Sequence, residues 1–119
     1  MLRDFLNKKI TAKIDRPKNS THPKYKEIVY PINYGYIENT VSGDGEEIDV
    51  YVLGEEEPKD YIDCKVVAIV KRKNDNEDKL IAIASSCNKT YTKEEMAKEV
   101  YFQEKFFDSI ILIVYELRV

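Results

Sequence analysis

Two consecutive stretches restrict most strongly what this chain can become. The first is Tyr30-Pro31-Ile32-Asn33-Tyr34-Gly35-Tyr36-Ile37 and the second is Asp44-Gly45-Glu46-Glu47-Ile48-Asp49-Val50. The first reads as extended chain interrupted by Pro31, with Tyr34 and Tyr36 on one strand face and Gly35 between them. The second reads as an acidic turn feeding a new strand. Gly43 and Gly45 give it freedom to bend, and Asp44, Glu46 and Asp49 fall within six positions. From Ile48 to Leu53 the pattern alternates, so Asp49 shares a face with Tyr51 and Leu53. A carboxylate among apolar neighbours needs a partner. A hard cation such as Mg²⁺ is one, because it takes several oxygen ligands and carboxylates on a tight turn supply them together. An ordinary solvated turn is the plainer reading. The spacing is not that of an EF-hand loop.

The rest of the chain supplies short strands. Residues 8–15 alternate, with Ile10, Ala12 and Ile14 on one face and Thr11, Lys13 and Asp15 on the other, the mark of a half-buried strand. Residues 16–23 form a polar loop with two prolines. Together with Lys24 it carries Arg16, Lys18 and His22, which serve either as a solvated surface or as a phosphate clamp facing the acidic turn. Residues 54–60 form a charged loop. Residues 62–72 hold a buried strand around Val66-Val67-Ala68-Ile69-Val70, residues 74–78 a turn by composition, and residues 79–84 the next strand, which predicts a hairpin. Thr92-Lys93-Glu94-Glu95 is a capping box opening a helix, with Met96, Val100, Phe102, Phe106 and Phe107 suited to pack it. Residues 110–119 read as a last strand. The sum is one mainly β domain over residues 1–119, a small closed barrel with one helix packed on it.

Charge and composition narrow the function. The net charge of −3 argues against a general nucleic-acid binder. No apolar run approaches the roughly 18 residues of a membrane span, and the first residues lack a signal peptide's apolar core. Cys64 and Cys87 have no metal-type spacing and read as free thiols in a cytoplasmic chain.

The two opening stretches resemble the soluble family I inorganic pyrophosphatases, which carry Y-P-x-N-Y-G-Y-I and then D-G-D-x-x-D. The resemblance extends to Asp15-Arg16-Pro17-Lys18-Asn19-Ser20 and Lys24-Tyr25, which fit the family's E-I-P-x-x-S and K-Y frame. It implies a five-stranded OB-like barrel and Mg²⁺-dependent hydrolysis of pyrophosphate to two phosphates, with Mn²⁺ as a second candidate ion. By the same resemblance Asp44, Glu46, Asp49, Glu77 and Asp78 are metal ligands, with Asp75 a further hairpin acid. Glu46 takes the proton of the attacking water, assisted by Tyr34 and Lys24. Lys24, Arg16, Tyr34 and Lys79 bind substrate, and Asp15 matches a Glu of the family's site. Tyr36 is read as core.

The chain departs from the family pattern at several points. Glu46 stands where the motif has Asp, a phosphate-binding hairpin Arg has no counterpart between Lys26 and Val29, and Phe106-Phe107 align with a Tyr-Lys pair. The family's long C-terminal helix lies beyond this sequence, and its habit is to form homo-oligomers. These departures favour a second reading, a non-catalytic protein that binds a metal–phosphate or nucleotide ligand. A third is an oligonucleotide binder that stacks bases on Tyr30, Tyr34 and Tyr36, which the acidic cluster opposes.

Overall fold

The computed structural model describes residues 2–43, 45–74 and 77–113. After a short 3-10 turn, Leu2–Phe5, come β1 (Lys9–Arg16), β2 (Asn33–Ile37), β3 (Ile48–Leu53), β4 (Tyr61–Arg72), β5 (Lys79–Ala84), α1 (Lys93–Glu104) and β6 (Ser109–Ile113). Pairing runs β1-β2-β3-β5-β4, and β4 returns to β1, so five strands close into a barrel. All contacts are antiparallel except β3 on β5, which is parallel. Closure removes the edges that an open sheet of this size would expose. β6 lies outside the ring as a sixth strand on β4.

The twelve residues of β4 make this possible. Its first half pairs with β1, from Tyr61 opposite Lys13 to Lys65 opposite Lys9. A register shift between Val66 and Ala68 then turns the strand, and its second half, Ala68 to Arg72, pairs with β6. An extra residue in one strand bends it and sharpens the twist, so β4 can leave one neighbour and take another.

The alternation read from the sequence separates two cores. Ala12, Ile14, Ile37, Ile48, Val50, Val52, Ile62, Cys64, Val66, Leu80 and Ala82 fill the barrel. The opposite side chains, including Tyr34, Tyr51, Leu53, Val70 and Ile81, pack with Tyr30 and Ile32 against Met96 and Val100 of α1. Strands buried on both faces need apolar residues at nearly every position, and β3 has them everywhere except Asp49. The helix starts as the capping box requires, with the Thr92 hydroxyl accepting from the Glu95 amide and the Glu95 carboxylate accepting from the Thr92 amide. It ends at Glu104, so Phe106 and Phe107 lie beyond it. Tyr36, expected in the core, is only half-buried and belongs to neither cluster: it shares the outer face of β2 with Tyr34 but lies further along the strand, between Lys13 and Asp49 of the neighbouring strands. The last strand is described only to Ile113; residues 114–119 lie outside the described set.

Two backbone constraints hold the site end of the barrel. Asn33 is fully buried, and its side chain accepts from the Lys18 amide and donates to the carbonyls of Glu55 and Glu57, which joins two loops to the start of β2. Gly35 lies opposite Ile14, where β1 crosses so closely that an added Cβ would sit 1.9 Å from the Lys13 carbonyl oxygen. No helix among the described residues is long and apolar enough to cross a membrane. The thiols of Cys64 and Cys87 are both free, and burial pushes that of Cys64 up to about 12.

Because the atom opposing Gly35 is backbone and cannot swing aside, Gly35→Ala is expected to destabilise the fold by at least the ~1–3 kcal/mol typical of overpacking. Urea denaturation measures this, and an unchanged midpoint would show that β1 and β2 are not pressed together here.

Candidate active site

The site follows from the pleat of β3. Ile48, Val50 and Val52 point into the barrel, so Asp49 and Tyr51 point out, onto the face covered by α1. Tyr34 of β2 reaches the same face, and its hydroxyl donates to Asp49 Oδ2 at 2.7 Å. Lys79, the first residue of β5, brings its ammonium to the same oxygen at 2.7 Å. Burial, reinforced by the charge of Asp49, raises the Tyr34 phenol well above its ordinary value and keeps it a donor. These groups line a cavity of about 640 Å³, with Asp15 and Arg16 from the end of β1, His22, Tyr25, Glu27, Ile28 and Tyr30 from the following loop, Arg72 from the end of β4, Glu77 from the hairpin, and Gln103, Phe106 and Phe107 from the end of α1.

Behind the cavity is a buried polar network. Arg72, with a side chain 1% exposed, forms a fork on Glu104: Nε donates to Oε1 at 3.0 Å and Nη2 to Oε2 at 2.7 Å. Its plane lies over the Phe107 ring, 3.6 Å from the centroid. Ser109 and Tyr51 also donate to Glu104, while Gln103 donates to Tyr51 and accepts from Tyr30. Burial alone would raise the Glu104 carboxyl, but the bonds from Arg72, Ser109 and Tyr51 outweigh it and hold the group below its ordinary value. Arg72 Nη1 continues to Glu77 Oε2 at 3.1 Å, and Lys79 Nζ approaches the same oxygen at 3.6 Å. Helix end, strand end and Asp49 are thus joined through one chain of charges.

The expected site residues divide. Arg16, Tyr34, Asp49, Glu77, Lys79 and Asp15 come together around the cavity. Lys24 is exposed on the loop with its ammonium 5.3 Å from the Tyr25 ring centroid, and is not among the lining residues. Glu46 is likewise exposed on its turn and outside the lining. Asp78 points elsewhere: Oδ1 accepts from the Arg72 amide and Oδ2 from Lys71, which closes the hairpin turn rather than the cavity. Alternation explains this, since neighbours Glu77 and Asp78 leave a turn on opposite sides. Asp44 and Asp75 lie outside the described residues.

An ion at this site must be held by hard oxygen donors. Among the described residues no three His, Cys, Asp or Glu side chains form a ligand group. Mg²⁺, however, is commonly bound through one or two carboxylates together with substrate phosphates and water. Asp49 fits that role, because both its bonds fall on Oδ2 and no described residue donates to Oδ1. Asp15 fits as well: its carboxyl is raised by burial, with Asp49 and Glu47 adding to the shift, and a cation relieves such crowding of negative charge.

Comparison with known proteins gives the family. Residues 7–111 match the inorganic pyrophosphatase family model. The chain belongs to the inorganic pyrophosphatase family. Among individual relatives, the inorganic pyrophosphatase of Xylella fastidiosa is 31% identical over 68% of this chain and 57% of its own length. That of Saccharolobus solfataricus is 34% identical over 56% and 40%. The matches therefore span about half the length of these relatives, 57% of one and 40% of the other. The fold is also that of solved pyrophosphatases, including those from Ehrlichia chaffeensis (TM-score 0.72, 18% identity, 93% of this chain and 89% of that one) and Neisseria gonorrhoeae (0.69, 15%, 92% and 85%).

Within this pyrophosphatase fold, sequence reading missed Arg72, Glu104 and Gln103. Arg72 ends a strand that reads as plain barrel wall, and Glu104 sits on a helix whose pattern shows nothing at that position. The one available signal was that a Glu on a core-facing helix stripe, at Met96, Val100 and Glu104, needs a cation.

Two outcomes are expected. Glu104→Gln breaks a buried pair and should lower stability by about 3–5 kcal/mol at neutral pH. Because the folded carboxyl titrates below its ordinary 4.5, that contribution is complete above 4.5 and disappears as pH falls through the folded value, so the two proteins should converge in acid; a pH-independent difference in unfolding free energy would refute the assignment. Asp15→Asn should do the reverse. A carboxyl raised above 3.8 costs stability once ionised, so the melting temperature should rise at pH 7 and the gain should fade as pH drops toward 3.8. Equal melting temperatures at pH 7 would show that Asp15 is not strained by its surroundings.

Proposed function

We propose that this chain hydrolyses inorganic pyrophosphate to two phosphates in the cavity on the α1 face of the barrel, with Mg²⁺ as the ion. The convergence of Asp15, Arg16, Tyr34, Asp49 and Lys79 on one cavity, in a chain of the pyrophosphatase family, supports this most directly. Asp49, assisted by Asp15, would hold the ion. A bound Mg²⁺ lowers the pKa of a coordinated water and offsets phosphate charge. The chain's own groups do the rest. Lys79 and Arg72 are fixed positive charges in a buried wall, where electrostatic stabilisation costs no reorganisation. The Tyr34 hydroxyl holds Asp49 in place by donating to it, and Arg16 brings a third cation to the rim. A cytoplasmic location is part of the proposal, since two free thiols suit a reducing compartment.

A second reading has its own support. Glu46 is not among the residues that line the cavity, and Phe107 covers Arg72 where a polar group would serve chemistry. On that reading the cavity binds a metal–pyrophosphate complex without turnover.

Phosphate release from pyrophosphate, measured with and without Mg²⁺, separates the two. Hydrolysis predicts Mg²⁺-dependent turnover that drops about 10²–10³-fold in Lys79→Met, the scale seen for comparable electrostatic donors, and weaker Mg²⁺ affinity by calorimetry in Asp49→Asn. Tight Mg²⁺-dependent binding with no phosphate released would establish the second reading, and absence of both would reject each.

A further inference from the structure

His22, the chain's single histidine, lines the cavity, and the fold fixes its ring there. Asn19 adopts a positive φ of 74° and turns the chain after β1. Residues 19–22 then pair with residues 28–30. The Asn19 amide donates to the Tyr30 carbonyl, the Tyr30 amide to that of Ser20 and the His22 amide to that of Ile28, with Thr21 bridged to Val29. Tyr30 is 2% exposed and its hydroxyl is tied to Gln103. The imidazole lies nearly parallel to the Tyr30 ring, at 9° and 6.4 Å between centroids. Its Nδ1 accepts from the amides of both Lys24 and Tyr25, each at 3.1 Å.

Two donors on Nδ1 place the proton of the neutral ring on Nε2. The turn alone does not require this residue, because a short Asn or Asp side chain also accepts from the amides that follow it. What imidazole adds is a second nitrogen, an N–H on the far side of the ring, and no described residue accepts from it. The cations of the cavity are placed differently. Arg72 is forked on Glu104, Lys79 is bonded to Asp49 and Arg16 is 3.8 Å from Asp15, so an incoming anion shares each of them with an acid. The Nε2–H carries no such commitment. The aromatic row continues from Tyr30 to Tyr34, at 5.6 Å between centroids, and the Tyr34 hydroxyl meets Asp49. His22 and Asp49 therefore stand at the two ends of one row of rings. We propose that His22 is a phosphate-binding residue whose Nε2–H donates to an oxygen of bound pyrophosphate, on the far side of that row from Asp49. The bond is charge-assisted because its acceptor is ionised, and it adds no net charge to the site. The proposal rests on the reading that the cavity takes pyrophosphate.

A single histidine gives one set of imidazole nitrogen signals, which makes the test direct. The ¹⁵N-labelled full chain is titrated with pyrophosphate in the presence of Mg²⁺, in mildly alkaline buffer where free imidazole is neutral. The ring should begin in the Nε2–H form, and its Nε2 signal should shift saturably, with the same midpoint as the amides of Tyr34 and Asp49. His22→Asn keeps an acceptor for the Lys24 and Tyr25 amides and removes the donor. It should melt close to the wild type and bind Mg²⁺–pyrophosphate about tenfold more weakly by calorimetry, the effect of one charge-assisted contact. If that variant does not fold, the ring titration of the wild type decides alone. A ring that starts in the Nδ1–H form, ring signals that stay in place while the Tyr34 and Asp49 amides shift saturably, or full affinity in His22→Asn would each overturn the donor and leave the functional reading standing. If neither ring nor amides respond and no phosphate is released, the donor and the functional reading fail together.

Discussion

The buried pair of Arg72 and Glu104 is the constraint on which the site end of this molecule depends. Desolvating two charges is expensive, and a buried pair is tolerated only where geometry and extra hydrogen bonds compensate. Here both conditions hold: the guanidinium meets the carboxylate in a fork, and Ser109 and Tyr51 donate to the same carboxylate. Glu104 also closes a helix, where the negative end of the dipole disfavours an acid, and Arg72 offsets that as well. An apolar pair of equal volume would hold α1 on the barrel without this cost. The retained charge points to use, since Arg72 lines the cavity and continues through Glu77 and Lys79 to Asp49.

The same arrangement explains how acids and cations share one small cavity without neutralising its chemistry. Lys79 and Tyr34 both engage Asp49 at Oδ2, which fixes the carboxylate and orients it. Asp15 feels Asp49 and has a long ion pair with Arg16, at 3.8 Å, that only partly offsets its burial. Negative and positive sides therefore coexist across the cavity, the combination that a cation–phosphate complex requires. Stability is spent on this: Asp15 is held in a state less favourable than it has in water, a strain typical of functional sites.

Much of the fold was legible in the alternation. Six strands and the helix can be placed from period-two patterning and the capping box, because burial on a pleated surface leaves a direct imprint on residue order. The barrel closure was less direct, resting on the register shift at Val66–Ala68 that lets β4 serve two neighbours. At the site, Tyr34, Asp49 and Lys79 were legible because their motifs are local. Asp78 was read into the site and lies outside it, since two adjacent acids on a turn look alike in sequence and differ only in which side they leave. Lys24 and Glu46 were placed in the site by motif, whereas both are exposed on their loops and neither lines the cavity. Arg72 and Glu104 were not found because their meaning comes from a contact across 32 residues of sequence, which no local pattern encodes.

The most direct test of this account is a backbone amide spectrum of the labelled protein titrated with pyrophosphate in the presence of Mg²⁺. If the cavity on the α1 face is the site, the largest changes fall on residues 15–16, 34, 49, 72, 77 and 79, with Gln103 and Phe107 behind them. Changes concentrated on the far side of the barrel, or no saturable change at all, would contradict it.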